Sequence, residues 1–399
     1  MNILQINLIY RNKSTGRTCL QLDEYFNSCG HHSITAFGWG KKDANAYRIN
    51  NYFEYYFHNI MSRITGLEGY FSFLPTIRLI RFIKKQKIEV IILHSLHGHY
   101  LNMPLFFNFV KKHKIKIVMH LHDCYMFTGK CTYYSAVHCE KWLSTCSHCP
   151  MKKAYPKSLF FDASRFLQKK KQKWFSDLDC KIIGNSNWTS GEAKKSKLST
   201  YPIFTVNNWI DLSIFRPKED NKDIEILPKD KFIILAVSVD WTPNTPRYND
   251  LLKLSKLIDN NYHIFMVGKC NSPINSNNIT LIEYMDNVQK LVDLYSAADC
   301  FVHFSIEDSF GKVIAEAQAC GTPAIVYNST ACKDVVQNNI TGYVAEPRNV
   351  NQVYEYIKAI KKNTKKYYSN NCREWAEKNF NKAINCQKFL DIVTGSNYE

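Results

Sequence analysis

Two carboxylates eight residues apart, Asp308 and Glu316, bracket a glycine at the point where an extended run turns helical. Cys300-Phe-Val-His-Phe reads as a strand, Glu307 to Gly311 as a loop, and Lys312-Val-Ile-Ala-Glu-Ala as a helix. Gly311 lets a ligand approach the free backbone N–H groups of the helix start, where the dipole favours an anion such as a diphosphate. One acid in the loop and another two turns into the helix can hold an elongated polyhydroxylated ligand, because carboxylates accept hydrogen bonds from hydroxyls. The same residues also suit a helix cap and a solvated face, and spacing alone leaves that alternative open.

Three further groups could do chemistry. His94, His97, His99 and Asn102 crowd a strand end, Leu93 to Asn102, that contains no Asp or Glu. Neutral imidazoles hydrogen-bond sugar hydroxyls, so contact with an acceptor substrate is favoured there over a metal. His122-Asp123 closes another predicted strand. The spacing Cys131-x7-Cys139-x6-Cys146-x2-Cys149 can supply four thiolates to a structural zinc, with free thiols or a pair of disulfides as alternatives.

These residues need elements to position them. Short apolar runs alternate with helical patterns throughout, the mark of parallel sheets covered by helices on both faces. Strands are predicted at Ile3–Leu8, Ser33–Phe37, Val90–Leu93, Ile115–His120 and Lys181–Asn185, then at 232–237, His263–Val267, Ile279–Ile282, Cys300–Phe304 and Ala324–Tyr327. A linker reads from Asn207-Asn208-Trp209-Ile210-Asp211 through a charged stretch to Lys231. The expectation is an α/β protein of two Rossmann-like domains facing across a cleft: one at 1–207 with a cysteine-rich insert at 124–150, and one at 208–379. A last helix, about 380–399, is expected to pack back on the first domain. Ligands of open parallel sheets bind beyond the carboxyl ends of the strands, so the site is sought there.

The 399 residues suffice for two domains, and no run of about 18 uncharged apolar residues offers a membrane span. Met1-Asn-Ile-Leu-Gln-Ile-Asn-Leu reads as a first strand rather than a signal peptide, which predicts a cytoplasmic protein. The net charge of +17 comes entirely from residues 1–200. That half mixes lysines with aromatics, around 71–85 and 105–114, as suits peripheral attachment to the anionic inner face of a membrane. Two amphipathic helices packed on a sheet would read the same way. Nucleic acid is not expected as a partner, since neither a recognition helix nor an aromatic RNA-binding signature follows the cysteines.

Glu316-Ala317-Gln318-Ala319-Cys320-Gly321-Thr322-Pro323 resembles the retaining GT-B glycosyltransferases of the family-4 group, which build bacterial capsule, O-antigen and exopolysaccharide. The resemblance extends to Ser14-Thr15-Gly16, His122-Asp123, Ser186, Asn208-x-Ile210-Asp211-x3-Phe215-x-Pro217 and Leu294-Tyr295-x2-Ala297-Ala298-Asp299. It implies a hexosyl transferase using a UDP- or GDP-linked sugar, a glycan or lipid-linked glycan acceptor, and no catalytic metal. Glu316 would bind the ribose, Asp308 or its neighbour Glu307 the donor sugar, and His122 would face that sugar. Ser14, Thr15 and Gly16 would form a loop over the diphosphate, with Ser309, Phe310, Gly311, Lys312 and Val313 lining the donor. A cysteine-bearing insert with Thr128-Gly129 and Trp142 occurs in a subset of the group.

Three positions depart from the pattern. Asp308 stands where glutamate is usual. Trp241-Thr-Pro-Asn-Thr-Pro-Arg247 replaces a lysine-glycine element, leaving Arg247 to neutralise a phosphate, and Ser329-Thr330-Ala331 replaces a glycine pair. These departures also fit a catalytically weak protein that binds sugar nucleotides or glycans.

Overall fold

The structure is a computed structural model that describes residues 1–396 except 219–226, 229, 275 and 284–286. Most of the predicted charged linker, and the last three residues of the predicted C-terminal helix, lie outside the described residues.

The chain divides into one unit of 1–206 with 386–399 and a second of 207–385. In the first, the strands are β1 (Asn2–Asn7), β2 (His32–Phe37), β3 (Ala46–Arg48), β4 (Val90–Leu93), β5 (Lys116–Leu121), β6 (Cys180–Gly184) and β7 (Ile203–Thr205). They form one parallel sheet in the order β3-β2-β1-β4-β5-β6-β7. Its helices are α1 (Lys13–Ser28), α2 (Tyr52–Thr65), α3 (Phe73–Lys85), α4 (Met103–His113), α5 (Ser164–Phe175) and α6 (Asn187–Lys195). All four residues of β4 are buried, as expected of a strand covered on both faces. The three-residue edge strands β3 and β7, only half-buried, were not predicted.

The second unit repeats the plan with β8 (Phe232–Asp240), β9 (Tyr262–Lys269), β10 (Ile279–Ile282), β11 (Cys300–His303), β12 (Ala324–Tyr327) and β13 (Gly342–Ala345). The order is β10-β9-β8-β11-β12-β13, again all parallel. Its helices are α7 (Pro246–Leu257), α8 (Val288–Ala297), α9 (Lys312–Ala319), α10 (Cys332–Val335), α11 (Val350–Asn363) and α12 (Lys365–Phe380). Both sheets reverse direction of growth beside their first strand, between β1 and β4 and between β8 and β11. Loops diverge at such a switch point and leave a crevice for ligand.

Helix α13 (Lys382–Thr394) brings the chain back to the first unit. Phe389 packs on Phe26 at 6.1 Å and on the His120 ring at 4.9 Å, and Lys181 Nζ donates to the Ile392 carbonyl at 2.7 Å.

Two surface features matter for function. Helix α4 buries Phe106 and Phe107, so core packing accounts for that aromatic-basic segment. Helix α2, by contrast, exposes Phe53, Tyr56, Phe57, Ile60 and Ile64 along one side. It is a well-made helix: Asn51 and Glu54 form a reciprocal capping box and Gly66 ends it in the left-handed region. Leu159, Phe160 and Phe161, also exposed, are tied to its end by the Leu159 N–H donating to the Arg63 carbonyl at 2.7 Å.

Candidate active site

In the C-terminal unit the loop after β11 reaches α9 through Gly311, whose φ of 82° lies in the left-handed region. A Cβ there would stand 2.6 Å from Ile314 Cδ1, so glycine is required on two counts. Glu316 lies one turn into α9, only 7% exposed, and its Oε2 accepts from the Tyr295 hydroxyl at 3.2 Å. Burial, with Glu316 alongside, pushes the Tyr295 phenol well above its ordinary range, so it is a permanent donor to that acid.

Asp308 is held more tightly than its loop position suggested. Its N–H donates to Thr330 Oγ1 at 3.0 Å, and the Ala331 N–H donates to its carbonyl at 3.2 Å. His303 Nε2 lies 3.4 Å from its carboxylate. Burial alone would raise the Asp308 pKa, but His303 and the N–H groups of Phe310 and Gly311 outweigh it and hold the group below the usual carboxylate range. Asp308 thus holds the end of the loop, while about a third of its side chain stays exposed. Thr330 and His303 were not predicted; they lie 22 residues after and five before Asp308, and no local pattern marks them. The residues that replace the usual glycine pair thus hold the acid's loop.

Phe310 is a correction. Its ring is 2% exposed and packs on Phe380 at 5.3 Å, so only its backbone can serve a ligand. Ser309 is buried, and Lys312 and Val313 are half-buried on the first turn of α9. Arg247, in the first turn of α7, donates from Nη1 to Ser238 Oγ at 2.7 Å near the end of β8. No carboxylate among the described residues pairs with it, which leaves its charge for an anionic ligand. Strands β8 and β11 are neighbours, so Arg247 and the α9 start flank the switch point of this sheet.

In the first unit, Ser14, Thr15 and Gly16 form the first turn of α1 rather than a loop. The chain turns tightly ahead of them: the Arg11 N–H donates to the Gly16 carbonyl at 3.2 Å, and a Cβ on Gly16 would meet backbone of residues 9–11 at 3.2–3.3 Å. Ser14 is exposed and Thr15 half-buried. This is a helix start following β1 at the switch point, a geometry suited to an anion.

The acceptor residues expected from the histidine-rich strand end are occupied internally. His97 Nε2 pairs with Asp123 Oδ2 at 2.8 Å and its Nδ1 with the Tyr155 hydroxyl at 3.1 Å. His99 Nδ1 is 2.7 Å from Glu68 Oε2, and Glu68 Oε1 accepts the N–H groups of Gly98 and His99. Asn102 caps α4, accepting from the Leu105 N–H at 3.0 Å. His94 Nε2 meets Gln5 Oε1 at 2.9 Å and its Nδ1 meets His122 Nε2 at 2.8 Å. Donors and acceptors buried in a loop cluster find one another before they find a ligand. Of the predicted histidines, His122 keeps Nδ1 and His99 keeps Nε2 neither bonded to a described residue nor sealed from solvent.

Three groups of side chains bring ligand atoms within 4.8 Å of one another: His94 with His120 and His122, His58 with Glu68 and His99, and His303 with Asp308 and Cys332. Cys131, Cys139, Cys146 and Cys149 do not converge this closely. They are neighbours nonetheless: Cys131 and Cys146 are buried, burial raises both thiols, and Cys149 raises both further. Two buried lysines adjoin them. Lys171 Nζ donates to the carbonyls of Tyr125 and Thr128, and Lys130 Nζ to those of Lys152, Ala154 and Pro156.

Residues 217–379, within the C-terminal unit, match the family described as Glycosyl transferases group 1. A curated relative, "Putative colanic acid biosynthesis glycosyl transferase WcaC" of Escherichia coli K12, is 26% identical over 359 residues, covering 85% of this chain and 86% of the relative. Among solved structures, a sucrose-phosphate synthase from Thermosynechococcus elongatus superposes with a TM-score of 0.69 at 14% identity over the full length of both chains. The Anabaena protein HepE in complex with UDP-glucose gives 0.66 at 11% identity, covering 98% of this chain and 99% of that one. At these identities the structures speak for the fold alone: two parallel-sheet Rossmann-like domains of the GT-B class.

Proposed function

We propose that this chain is a glycosyltransferase that moves a hexosyl group from a nucleotide sugar to a glycan or lipid-linked glycan during assembly of a bacterial surface polysaccharide, with retention of anomeric configuration. One observation carries the reading: the buried Glu316, oriented by Tyr295, lies on the helix whose N-terminus opens at Gly311. Glu316 accepts the ribose hydroxyls, the α9 start with Arg247 takes the diphosphate, and Asp308 with Glu307 faces the donor sugar. The family match over residues 217–379 and the WcaC relative support it, as does the nucleotide sugar bound by HepE.

In this reading the acceptor hydroxyl attacks from the face that the diphosphate leaves, and a leaving-group phosphate oxygen takes its proton. The protein's work is to position both substrates and to stabilise negative charge on the departing diphosphate, through the helix start and Arg247. No step calls on a catalytic metal. The acceptor side is assigned to the first unit, with His122 toward the substrate it takes. The exposed face of α2 is assigned to the anionic inner membrane surface, where the lysine-rich first half supplies the electrostatic part. No helix among the described residues is long and apolar enough to cross a membrane.

Incubation with radiolabelled UDP- and GDP-sugars and lipid-linked acceptor tests the activity. Transfer to acceptor is expected, with the anomeric configuration of the product read by NMR. Tight nucleotide binding with neither transfer nor hydrolysis would sink the enzyme reading and leave a sugar-nucleotide-binding protein.

A further inference from the structure

A run of buried hydrogen bonds links α1 to His122, and the direction of each bond is forced by its neighbour. Gln5 Nε2 lies 2.8 Å from the Cys19 carbonyl and 2.7 Å from Asp23 Oδ1. A backbone carbonyl has no hydrogen to give, so this end of the Gln5 amide is its NH2 group. Asp23 is fixed in turn by the Ser33 and Thr35 hydroxyls, each donating at 2.6 Å. Gln5 Oε1 is then an acceptor, and His94 Nε2, 2.9 Å away, must carry the proton.

A neutral imidazole carries one N–H only. His94 is 2% exposed and burial holds it neutral, so its Nδ1 is bare and accepts from His122 Nε2 at 2.8 Å. The two rings are nearly coplanar, at 18°. His122 is also kept neutral by burial, its pKa pushed down to about 4. Its single proton is committed to His94, and Nδ1 is left as a lone pair on the side that is not sealed from solvent.

We propose that Gln5 and His94 are positioning residues that lock His122 in the Nε2–H tautomer, so that His122 Nδ1 acts only as an acceptor and selects a substrate that presents a hydroxyl donor to it. The preference is for a sugar hydroxyl over an ether or carbonyl oxygen at that spot, since an acceptor facing an acceptor leaves both unpaired. His120, buried against His94, His122 and Phe389 with neither ring nitrogen bonded, supplies a low-dielectric wall that keeps the pair neutral. A cation held through His94 Nδ1 and His122 Nε2 would need both bare. The N–H···N bond at 2.8 Å requires a proton on one of them.

The structural part is tested without any activity. Long-range 1H–15N spectra of the full-length protein labelled in histidine, with His122→Gln for assignment, are expected to show Nε2–H on both His94 and His122 at pH 7. A proton on His122 Nδ1, a charged His122, or coordination shifts of these rings on adding Zn2+ would overturn the proposal. Gln5→Met and, separately, His94→Phe should turn His122 into a tautomer mixture, two variants guarding against one that fails to fold. A pure Nε2–H form in either folded variant also overturns it. The kinetic part rests on the proposed transferase activity: kcat should fall about tenfold, the worth of one hydrogen bond, with nucleotide affinity unchanged. Absence of all transfer in the wild type would remove the transferase reading while the spectra still decide the tautomer. An unaltered kcat alongside a mixed tautomer would show that Nδ1 selects no substrate hydroxyl.

Discussion

The Tyr295 hydroxyl and the Glu316 carboxylate meet inside the C-terminal unit, 3.2 Å apart, with the phenol 0% and the acid 7% exposed. A buried acid held by a phenol that stays protonated is fixed in place before any ligand arrives. Glu316→Gln should weaken nucleotide binding by roughly 10- to 100-fold, the range for hydrogen bonds to a charged group, while leaving the fold intact. The loss of the UDP- or GDP-induced thermal shift reads this directly. An undiminished shift would remove Glu316 from the nucleotide site.

Asp308 and Glu307 separate by what else they do. Asp308 also holds the N–H groups of Phe310 and Gly311, so Asp308→Ala should lower both transfer and thermal stability, and Glu307→Ala is expected to lower transfer. Because the folded-state pKa of Asp308 is depressed, its contribution is present above the ordinary carboxylate range and is lost as pH falls through the lower folded value. If neither variant alters transfer, the sugar-binding acid lies elsewhere.

Acid should loosen the first unit before it affects the carboxylates. Burial pushes His58 and His122 down to about 4, and holds His94 and His120 well below the ordinary range, while an unfolded chain protonates histidine near pH 6.5. The unfolded state then binds more protons, so stability falls as pH drops from about 6.5 towards 4, by at most about 1.4 kcal/mol per pH unit for each histidine. Thermal unfolding followed at pH 7, 6 and 5 should show a falling Tm. A Tm that stays level over that range would contradict the buried neutral histidines.

The α2 face predicts membrane attachment that depends on its aromatics. Phe53 is 79% exposed, and Phe53→Ser with Phe57→Ser should reduce sedimentation with anionic vesicles at low salt without changing thermal stability. Equal sedimentation by the double variant would assign the attachment to charge alone.

For the cysteine insert we propose a structural zinc. The donor set fits, four thiols near two buried lysines that offset a tetrathiolate dianion, although zinc at about 2.3 Å from each sulfur would have to draw the four together. Elemental analysis of protein purified without chelator should give one zinc per chain, lost in a Cys146→Ser, Cys149→Ser variant. Substoichiometric metal would mean free thiols.

Much of the scaffold was legible because a strand buried on both faces must be apolar. Val90–Leu93 and Ala324–Tyr327, buried throughout, matched to the residue. The edge strand Ala46–Arg48, half-buried throughout, has no such constraint and left no trace. The site was legible where chemistry is local, in Gly311 and Glu316 on one helix. It was not where partners come from afar: Gln5 reaches His94 across 89 residues, and Thr330 reaches Asp308 from the next strand's loop. Counting histidines near a strand end says nothing of whether their nitrogens are already spent on Asp123, Tyr155 and Glu68.

Helix α13 has a consequence for how the protein is made. Phe389 completes the interior behind His120, yet it leaves the ribosome only after the whole second unit has been synthesised. The first unit must wait, with Phe26 and His120 unshielded, for a segment encoded last. Folding of the two units is thereby ordered against the direction of translation, and a fragment of residues 1–206 should be the poorer folder of the two.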